Sequence, residues 1–572
     1  MIKEEIKKII EKAISNLYSD FNDRENRGIE ILVEMPKEKS HGDYSTSISF
    51  TLGKIFKKNP NEIAVLLKTE IEKQKSIINK IEAVGGFINF FIKPEVFFES
   101  IKKIDKNFGK NNNLRNQKVI IEYTDPNPFK EFHIGHLMSN SIGESLSRIF
   151  EFQDTKIKRA NYQGDVGIHV AKTMQIAMTI QARWEELTLG DGKKLEWGKY
   201  YSLGSERYES DQSFAERVRE LNRKIYTKED KEVNKLYELG KKISLEYFEE
   251  IYKKLGTKFD YYFFESEVVN IGKKIVEDGL KRGIFEKGDK GAIIFKGEKY
   301  GLHTRVFINS EGIPTYEAKE LALAKVKYDK YKYDQSVVVT ASEQNDYFKV
   351  VLCTLKQIYP ELAQKTKHIG HGMMRLPEGK MSSRTGKVVT FESLLNKVEE
   401  LVKEKNKDRD LSETEKKEII EKVAIGALKY SILRQSIGSD IIYDFEKSIS
   451  FEGDSGPYLQ YSYARAMSVL KKAKSEKIKA SFKNLPKEIS QLEKDMNYFP
   501  EVVEKAGKEY EPHFIVLYLT ELAREFNNYY AKNKIVDKAD EFSPYKVALT
   551  EAFSIIMKNG LWLLEINTLE KM

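Results

Sequence analysis

Short β-rich runs, each followed by a loop and then a helical pattern, constrain this chain of 572 residues more than any other feature of its sequence. Residues 119–123 read Val-Ile-Ile-Glu-Tyr, a loop rich in Pro and Asn follows, and apolar residues between 142 and 150 then recur at helical spacing. Residues 337–339, Val-Val-Val, precede a second helical pattern over residues 348–355. Strand–loop–helix units of this kind predict an α/β domain built on a parallel sheet.

The pattern of apolar and polar residues changes outside these units, which predicts further domains. Residues 1–104 open with an amphipathic helical pattern and close on a strand, and they predict a small α+β domain. Residues 105–117 are polar and typical of a linker. We expect the α/β domain to span residues 118–410, with the charged, helical residues 183–260 inserted between the two halves of its sheet. Residues 411–572 are helical in pattern to the end and predict an all-α bundle.

Composition narrows the class of protein. A chain with 40% hydrophobic and 32% charged residues is typical of a soluble globular protein. The single cysteine, Cys353, excludes an intrachain disulfide and a Cys-based zinc cluster. No apolar run approaches the roughly 18–20 residues of a membrane span, and the first residues lack the apolar core of a signal peptide. We therefore expect a cytoplasmic protein with no zinc and no membrane partner.

The string His-Ile-Gly-His occurs twice, at residues 133–136 and 368–371. The first copy stands between the Pro-containing loop and the start of a helix, where free N–H groups and the helix dipole suit an anion. Its imidazoles can donate hydrogen bonds to a phosphoryl group, and Gly135 lets a flat base or sugar approach the backbone. Two histidines that merely cap the helix are an equally good interpretation of the context.

The second copy runs into a loop with no helix behind it, so it predicts partly buried histidines of a strand. Each His-x-x-His pair supplies two zinc ligands at most, and no Cys, Asp or Glu stands at a familiar third position. We expect no protein-bound metal at either copy.

Residues 378–387 read Glu-Gly-Lys-Met-Ser-Ser-Arg-Thr-Gly-Lys. The three cations between or beside the glycines can offset the charge of a polyphosphate, and the three hydroxyls can donate hydrogen bonds to it. This is not a Walker loop, because six residues separate Gly379 from Gly386 and Val388 stands where a Ser or Thr is required. Taken alone, the segment is equally consistent with a basic surface loop.

The two elements together resemble the paired signatures of class I aminoacyl-tRNA synthetases, and the surrounding sequence resembles the arginyl-tRNA synthetase family. Residues 122–127, 132–137 and 161–167 are similar to its catalytic signatures, and residues 456–461 and 522–527 to its helical domain. The resemblance covers essentially the whole chain. It implies a Rossmann-like catalytic domain, an N-terminal domain that binds the outer corner of the tRNA, and a C-terminal bundle that binds the anticodon.

The resemblance implies a two-step reaction. Arginine and ATP give arginyl-adenylate and pyrophosphate, and the arginyl group then moves to the 3′ end of tRNA(Arg). In-line displacement at the α-phosphate needs positioning and charge stabilisation more than covalent catalysis, and Mg²⁺ is expected to arrive with ATP. The implied ATP-binding residues are His133, Gly135, His136, Lys380, Met381, Ser382 and Ser383. Of these, the implied catalytic residues are His133, His136, Lys380 and Ser382.

The resemblance also implies an arginine pocket. A guanidinium favours planar pairing with carboxylates. By similarity, Glu122 and Asn127 hold the ammonium and carboxylate ends of arginine, and Glu265 and Glu320 are candidates for its guanidinium. Tyr316 is expected on the same helix face as Glu320, four residues later. Gln344 completes the implied set; solvated acids and a core tyrosine are the structural alternatives.

Several positions depart from the usual pattern of the family. Glu320 stands where an aspartate is usual, which adds one methylene to the pocket. Val166 and His169 stand where the family often has Trp and Gln, Tyr347 replaces a common histidine, and Thr385 stands where many members carry a lysine. Lys380, by contrast, keeps a lysine that many members of the family lack.

A surplus of eight positive charges permits an anionic partner, and the resemblance identifies that partner as tRNA. Aromatic side chains beside cations suit unpaired bases and phosphates, although packing of the bundle is the alternative for about half of them. We expect the protein to be a monomer. The implied tRNA-binding residues are Tyr458, Tyr461, Arg465, Tyr529 and Tyr530.

Three other functions compete with this interpretation. A cysteinyl or lysyl synthetase shares the signatures, but the cysteinyl enzyme needs zinc ligands that one cysteine cannot supply. A nucleotidyltransferase without a tRNA partner would leave the C-terminal bundle unexplained. A catalytically inactive RNA-binding relative would not need His133, His136, Lys380 and Ser382.

Overall fold

The computed structural model describes residues 2–18, 29–180, 197–375, 389–405 and 412–572. The chain divides into two compact units, and each is described by itself. The first unit comprises Met1–Phe108, Val469–Tyr498 and Asn528–Ile555, and the second comprises Gly109–Ser468, Phe499–Asn527 and Ile556–Met572.

The first unit confirms the predicted α+β arrangement of the N-terminal residues. Its three strands form an antiparallel sheet in the order β1-β3-β2. The helix at the start of the chain buries Ile6, Ile10 and Ile14, as its amphipathic pattern predicts. The elements are α1 (Ile2–Leu17), β1 (Tyr44–Thr46), α2 (Ile48–Phe56), α3 (Pro60–Glu72), β2 (Ile78–Val84), β3 (Phe87–Ile92) and α4 (Pro94–Ile101).

The second unit is built on strands that alternate with helices along the chain. Its elements up to residue 281 are β4 (Lys118–Glu122), α5 (Ile134–Phe152), β5 (Lys156–Gln163), α6 (Ile168–Ile180), α7 (Trp197–Ser210), α8 (Gln212–Thr227), α9 (Lys231–Leu255), β6 (Tyr261–Phe264) and α10 (Glu265–Lys281). The elements that follow are β7 (Glu286–Lys287), β8 (Ile293–Phe295), β9 (Arg305–Ile308), α11 (Tyr316–Lys330), β10 (Gln335–Ala341), α12 (Asn345–Ile358), α13 (Pro360–Lys365), β11 (Thr366–His371) and β12 (Met374–Arg375).

Five of these strands form the predicted parallel sheet, in the order β11-β10-β4-β5-β6. Strand β4 is central, because Glu122 pairs with Ala160 of β5 on one side and with Val338 of β10 on the other. Helices cover both faces of such a sheet, which is why its inner strands are apolar. The chain proceeds from β4 to β5 and β6 in one direction and from β10 to β11 in the other. The carboxyl ends of β4 and β10 therefore border a topological switch point, the place where ligands bind in open α/β sheets.

The helical insertion differs in position from the prediction. Helices α7, α8 and α9 confirm the helical pattern, and they pack on α6 through a buried cluster that includes Trp197, Phe214 and Val218. Residues 183–196, with Trp184, lie outside the described residues. The insertion separates β5 from β6 and so interrupts the first half of the sheet, whereas we expected it between the two halves. Three short strands, β7, β8 and β9, form a further antiparallel sheet that the sequence did not predict.

Helices dominate the rest of the chain, as predicted, with one local exception. Strand β13 pairs with β12 in parallel, so residues 441–442 are extended inside the region predicted to be helical. No helix in the described part of the chain combines the length and the apolar character needed to cross a membrane. The elements are α14 (Phe391–Lys405), α15 (Glu413–Leu433), β13 (Ile441–Ile442), α16 (Phe445–Ser448), α17 (Gly456–Ser475), α18 (Gln491–Asn497), α19 (Phe499–Glu509), α20 (His513–Lys532) and α21 (Ser543–Leu563).

Candidate active site

The chain turns sharply after β4, and three residues of this loop other than glycine occupy the left-handed region. Their φ angles are 80° at Thr124, 46° at Asp125 and 65° at Phe129. Asp125 Oδ1 accepts a hydrogen bond from Tyr162 N at 2.7 Å, and Thr124 N donates to Ser139 Oγ at 3.0 Å. Strained backbone persists only when its surroundings hold it, and it is concentrated at functional loops. This loop begins at the switch point of the sheet.

His133 and His136 cap the amino end of α5 with their ring nitrogens. His133 Nδ1 accepts from Gly135 N at 3.1 Å, and His136 Nδ1 accepts from His133 N at 3.2 Å. A backbone N–H can only donate, so the proton of each neutral ring is on Nε2. The two rings stack with their centroids 3.6 Å apart. Because neither Nε2–H meets an acceptor among the described residues, the pair is both a helix cap and a source of two hydrogen-bond donors.

Burial keeps these two rings neutral near neutral pH. Burial, and after it the positive charge of Lys130, lowers the pKa of His133 to about 4. Burial and the two neighbours His133 and Lys130 also hold the pKa of His136 well below its ordinary value. The pKa of Lys130 falls to about 8, again chiefly through burial, so Lys130 still carries a charge at neutral pH. We did not predict a role for Lys130, although its place three residues before His133 was visible in the sequence.

The other half of the predicted ATP site belongs to residues 376–388, and Lys380, Met381, Ser382 and Ser383 all lie outside the described residues. Beyond that segment, Val389 O accepts a hydrogen bond from Ile134 N at 3.3 Å, and Phe391 N donates to Phe132 O at 2.9 Å. The residues after the predicted phosphate loop therefore pair with the backbone on either side of His133.

Two of the predicted arginine-binding acids are paired with lysines of α11. Lys327 Nζ lies 2.7 Å from Glu122 Oε2, and Lys319 forms an ion pair with Glu265. Glu320, on the same helix and only 9% exposed, has neither a cation nor a hydrogen-bond partner in the part of the chain that the structure describes. Within the described residues, Glu320 therefore forms no ion pair and no hydrogen bond, and the charge of Lys327, which is paired with Glu122, acts on it only at a distance.

The proton affinity of Glu320 reflects this missing partner. Burial, followed by the charge of Glu122, raises the pKa of Glu320 to about 8 even though Lys327 acts to lower it. Glu317, three residues earlier on α11, is by contrast paired with Arg305 at 3.1 Å. A cationic ligand would favour the ionised form of Glu320 and lower its pKa.

Gly164 brings two predicted arginine-binding residues together. Gly164 N donates to Asn127 Oδ1 at 3.2 Å. A Cβ at residue 164 would lie 2.4 Å from Asn127 Oδ1 and 3.1 Å from Glu265 Oε1. The loops after β4, β5 and β6 thus converge at this glycine, and a larger residue there would push Asn127 and Glu265 aside.

Tyr316 and Gln344 lie at the exposed rim of the site. Tyr316 is 56% exposed, and its ring centroid is 4.5 Å from Lys319 Nζ. It begins α11, so Tyr316 and Glu320 share one helix at the predicted spacing. Gln344 is exposed and ends the short turn after β10; among the described residues it makes no hydrogen bond to the other predicted arginine-binding residues.

Asp165 joins the insertion to the site, a role that we did not predict. Its carboxylate is fully buried and lies 2.7 Å from Lys241 Nζ. It also accepts hydrogen bonds from Tyr237 OH at 2.8 Å and from Ser266 N at 2.9 Å. Helix α9 of the insertion and the start of α10 are thereby fixed beside Glu265. The signal was available, because Asp165 belongs to the segment 161–167 that resembles a family signature.

The second His-Ile-Gly-His lies in strand β11, as predicted. The ring of His368 stacks on Phe348 with centroids 4.0 Å apart, and its Nε2 shares a hydrogen bond with Thr340 Oγ1 at 2.8 Å. His371 is 1% exposed, and its Nδ1–H donates to Gly372 O at 2.7 Å. Both rings are engaged in contacts of the sheet, which makes them structural.

Three of the predicted tRNA-binding residues belong to the second unit and contact one another there through Asn527. Arg465 donates to Asn527 Oδ1 at 2.6 Å and to Tyr461 OH at 3.1 Å, and Asn527 Nδ2 donates to Tyr458 OH at 3.0 Å. The Arg465 guanidinium also lies 4.7 Å from the centroid of the Tyr461 ring.

The other two predicted tRNA-binding residues belong to the first unit. Tyr529 packs against a buried cluster that includes Val469 and Ile535, whereas Tyr530 is 41% exposed. Packing in the core therefore accounts for the position of Tyr529, and Tyr530 is the more accessible of the pair.

Known proteins are similar to this chain in both sequence and fold. Residues 100–445 match the family of class I tRNA synthetases (R), catalytic domain. Residues 459–572 match the DALR anticodon binding domain, and residues 4–92 match the arginyl tRNA synthetase N terminal domain. The arginine–tRNA ligase of Clostridium acetobutylicum is 32% identical over 100% of this chain and 99% of its own length. That of Halothermothrix orenii is 31% identical over 98% of this chain and 99% of its own length.

Two solved structures share the fold at lower sequence identity. The arginyl-tRNA synthetase of Thermus thermophilus superposes with a TM-score of 0.77 at 23% identity, over 100% of both chains. That of Plasmodium falciparum gives 0.78 at 20% identity, over 100% of this chain and 99% of that one. The chain belongs to the class I aminoacyl-tRNA synthetases and, within them, to the arginine–tRNA ligase family, which confirms the resemblance found in its sequence.

Proposed function

We propose that this protein is an arginine–tRNA ligase that activates L-arginine with ATP and transfers the arginyl group to the 3′ end of tRNA(Arg). The observation that carries this proposal is Glu320, a buried carboxyl without a cation partner among the described residues. It lies in a cluster in which Glu122, Glu265 and Glu317 are paired with cations and Asp125 accepts a backbone hydrogen bond from Tyr162. A guanidinium is the cation that best complements such a carboxylate.

The first step is proposed to use the donors at the start of α5. A carboxylate oxygen of arginine attacks the α-phosphorus of ATP, and pyrophosphate leaves as the adenylate forms. The Nε2–H groups of His133 and His136 donate to the phosphate oxygens as their charge develops, and Lys130 supplies a nearby positive charge. Gly135 leaves room for adenosine. Lys380, Met381, Ser382 and Ser383 are proposed to complete the ATP site, with Lys380 and Ser382 also catalytic.

Mg²⁺ is proposed to enter with ATP, bound chiefly by its phosphates. Class I aminoacyl-tRNA synthetases use ATP, and charge on the transferred group is then shared between the ion, the histidines and the lysines.

The arginine pocket is proposed to lie between the ends of β4 and β6 and the start of α11. Glu122 and Asn127 hold the ammonium and carboxylate ends of the substrate, and Gln344 closes the pocket from the end of β10. Glu265, Tyr316 and Glu320 are proposed to contact the guanidinium. The extra methylene that Glu320 has over an aspartate moves its carboxylate further from the backbone of α11, toward the ligand.

The remaining regions are proposed to bind tRNA. We assign residues 1–104 to a tRNA-binding domain, 105–117 to a linker, 118–410 to the catalytic domain with its insertion at 183–260, and 411–572 to an anticodon-binding bundle. We propose that the protein is cytoplasmic and monomeric. Tyr458, Tyr461, Arg465, Tyr529 and Tyr530 are its proposed tRNA contacts, and because tRNA is anionic the affinity should fall as the salt concentration rises.

A charging assay with each of the twenty amino acids and total tRNA tests the proposed reaction. We expect acid-stable attachment of arginine to tRNA and no charging with lysine, cysteine or glutamate. Charging with an amino acid other than arginine would overturn the substrate. Pyrophosphate exchange without any tRNA charging would favour a nucleotidyltransferase.

A matched pair of variants on one helix tests the pocket. Glu320→Gln should raise KM for arginine by about 10²-fold, since a charged hydrogen-bonded contact is lost from a buried site. Glu317→Gln changes the same chemical group three residues away, where Arg305 already balances it, and should change KM by no more than about threefold. Equal effects of the two variants would contradict the assignment of Glu320.

A further inference from the structure

Helix α11 places two lysines in the proposed arginine pocket. Lys319 and Lys327 are 4% and 2% exposed, although lysine is rarely buried unless it is paired. Lys319 is paired with Glu265 and Lys327 with Glu122. Each lysine therefore occupies a carboxylate that the proposed function assigns to the substrate, and the two lysines need separate explanations.

Lys327 is best explained as part of the fold. Its partner Glu122 is the last residue of the central strand β4, and both side chains of the pair are almost fully buried. The pair joins α11 to the middle of the sheet.

Lys319 differs because its ammonium has two kinds of contact at once. It is paired with the carboxylate of Glu265, and it also lies 4.5 Å from the centroid of the Tyr316 ring. Tyr316 is 56% exposed and Lys319 only 4%, so the Tyr316 ring lies between the buried ammonium and solvent. A carboxylate together with an aromatic face is the environment that a guanidinium prefers. Lys319 thus occupies the contacts that the side chain of arginine would make.

We propose that Lys319 is a built-in competitor for the substrate: its ammonium occupies Glu265 and the Tyr316 ring until the guanidinium of arginine displaces it. This inference rests on the proposed function, because it takes Glu265 and Tyr316 as parts of the arginine pocket. The flexible four-carbon stem of lysine lets the ammonium leave without movement of the helix backbone.

Such a competitor raises the affinity that a cationic amino acid needs in order to bind. Free lysine would replace one ammonium by another and gain no new kind of contact. It would also compete against a tethered group whose effective concentration is high, of the order of millimolar or more. Arginine gains from the exchange, since a guanidinium can make two parallel hydrogen bonds to one carboxylate and can stack on the tyrosine ring. The free energy of displacing Lys319 is the same for every ligand, so the competitor weakens the binding of arginine and of lysine by the same factor, and arginine remains the tighter ligand.

Calorimetric titration of the full-length protein with L-arginine and with L-lysine tests this role. In Lys319→Gln, which can still hydrogen-bond to Glu265, the Kd values for arginine and for lysine should both fall by about tenfold, equivalent to about 1.4 kcal/mol, and their ratio should stay the same. Lys319→Arg keeps the charge and installs a stronger competitor, so the Kd for arginine should rise by about tenfold.

Lys158→Gln provides a control, since Lys158 forms a partly exposed pair with Asp260 at 2.8 Å outside the pocket. It should leave both Kd values unchanged. An unchanged or higher Kd for arginine in Lys319→Gln, or an unchanged Kd for arginine in Lys319→Arg, would overturn the proposal and leave Lys319 as a structural partner of Glu265. Because Lys319→Arg preserves the ion pair, it decides the matter even if Lys319→Gln does not fold. Failure of the wild-type protein to bind arginine would instead refute the proposed function.

Discussion

The string His-Ile-Gly-His occurs at residues 133–136 and 368–371, but the histidine rings make different kinds of contact in the two copies. In the first copy, both Nδ1 atoms accept backbone N–H groups at the start of α5, which leaves two Nε2–H donors. In the second copy, one ring stacks on Phe348 and bonds to Thr340, and the other donates its N–H to Gly372. The difference arises from the neighbouring elements, because the first copy opens a helix with free N–H groups, whereas the second ends a strand that leads into a loop.

The largest expected effect comes from removing a donor of the first copy. His136→Ala should lower kcat for arginine-dependent pyrophosphate exchange by about 10²–10³-fold, as is typical when one preorganised donor to a developing charge is lost. Thermal unfolding should show that the protein still folds, because the helix loses only one cap contact.

His368→Ala in the second copy is the matched control for this variant. It removes a ring of the same type from a stacked, hydrogen-bonded position in β11, so it should destabilise the fold by about 1 kcal/mol and change kcat by less than about twofold. A large loss of kcat in His368→Ala, or a normal kcat in His136→Ala, would mean that the two copies do not differ as described.

The central glycines of the two strings give a smaller contrast. A Cβ at Gly135 would lie 3.0 Å from His133 Cε1, whereas a Cβ at Gly370 would lie 2.0 Å from Asn345 Oδ1. Gly135→Ala should therefore displace a ring of the proposed ATP site and raise KM for ATP by about tenfold with little change in stability. Gly370→Ala should lower the free energy of unfolding by about 1–3 kcal/mol through overpacking. Steady-state kinetics and denaturant unfolding of both variants test this contrast. A loss of stability in Gly135→Ala, or a higher KM for ATP in Gly370→Ala, would contradict it.

The smallest expected effect concerns the pH dependence of kcat, to which the histidine rings should contribute almost nothing near neutral pH. Burial and Lys130 lower the pKa of His133 to about 4, and burial and His371 lower that of His368 to about 4. His133 and His368 therefore gain no proton between about pH 8 and about pH 6, where an ordinary histidine would be protonated. At saturating arginine, kcat for pyrophosphate exchange should thus vary by less than about twofold from the ring ionisations. An acidic limb near pH 6.5 that disappears in His136→Asn would contradict this.

Much of the fold was predictable because its signals are local. The apolar runs at β4 and β10 and the helical spacing of α5 and α12 depend on neighbouring residues alone. The insertion was misplaced because β6, Tyr-Tyr-Phe-Phe, is short and carries no alternating pattern. Strands of two to four residues, such as β7 and β9, have too few positions for a period to show.

In the candidate site, too, the local features were predictable from the sequence and the long-range contacts were not. His133 and Glu320 could be identified from motifs, since each stands in a recognisable stretch of sequence. The ion pairs could not be predicted, because Lys319 and Glu265 are 54 positions apart and Lys327 and Glu122 are 205 apart. Which acids are balanced and which one is left over depends on how the fold brings these segments together.

Of the three acids proposed for the arginine pocket, Glu320 is the one that, within the described residues, has no ion pair and is left for the substrate. Because burial and the charge of Glu122 raise its pKa to about 8, Glu320 is mostly protonated at about pH 7 and must lose its proton to pair with a guanidinium. Calorimetric titration with L-arginine at this pH, in two buffers with different ionisation enthalpies, counts the protons released. We predict the release of between about half a proton and one proton per arginine bound, falling toward zero in Glu320→Gln. Binding of arginine without proton release would contradict the account.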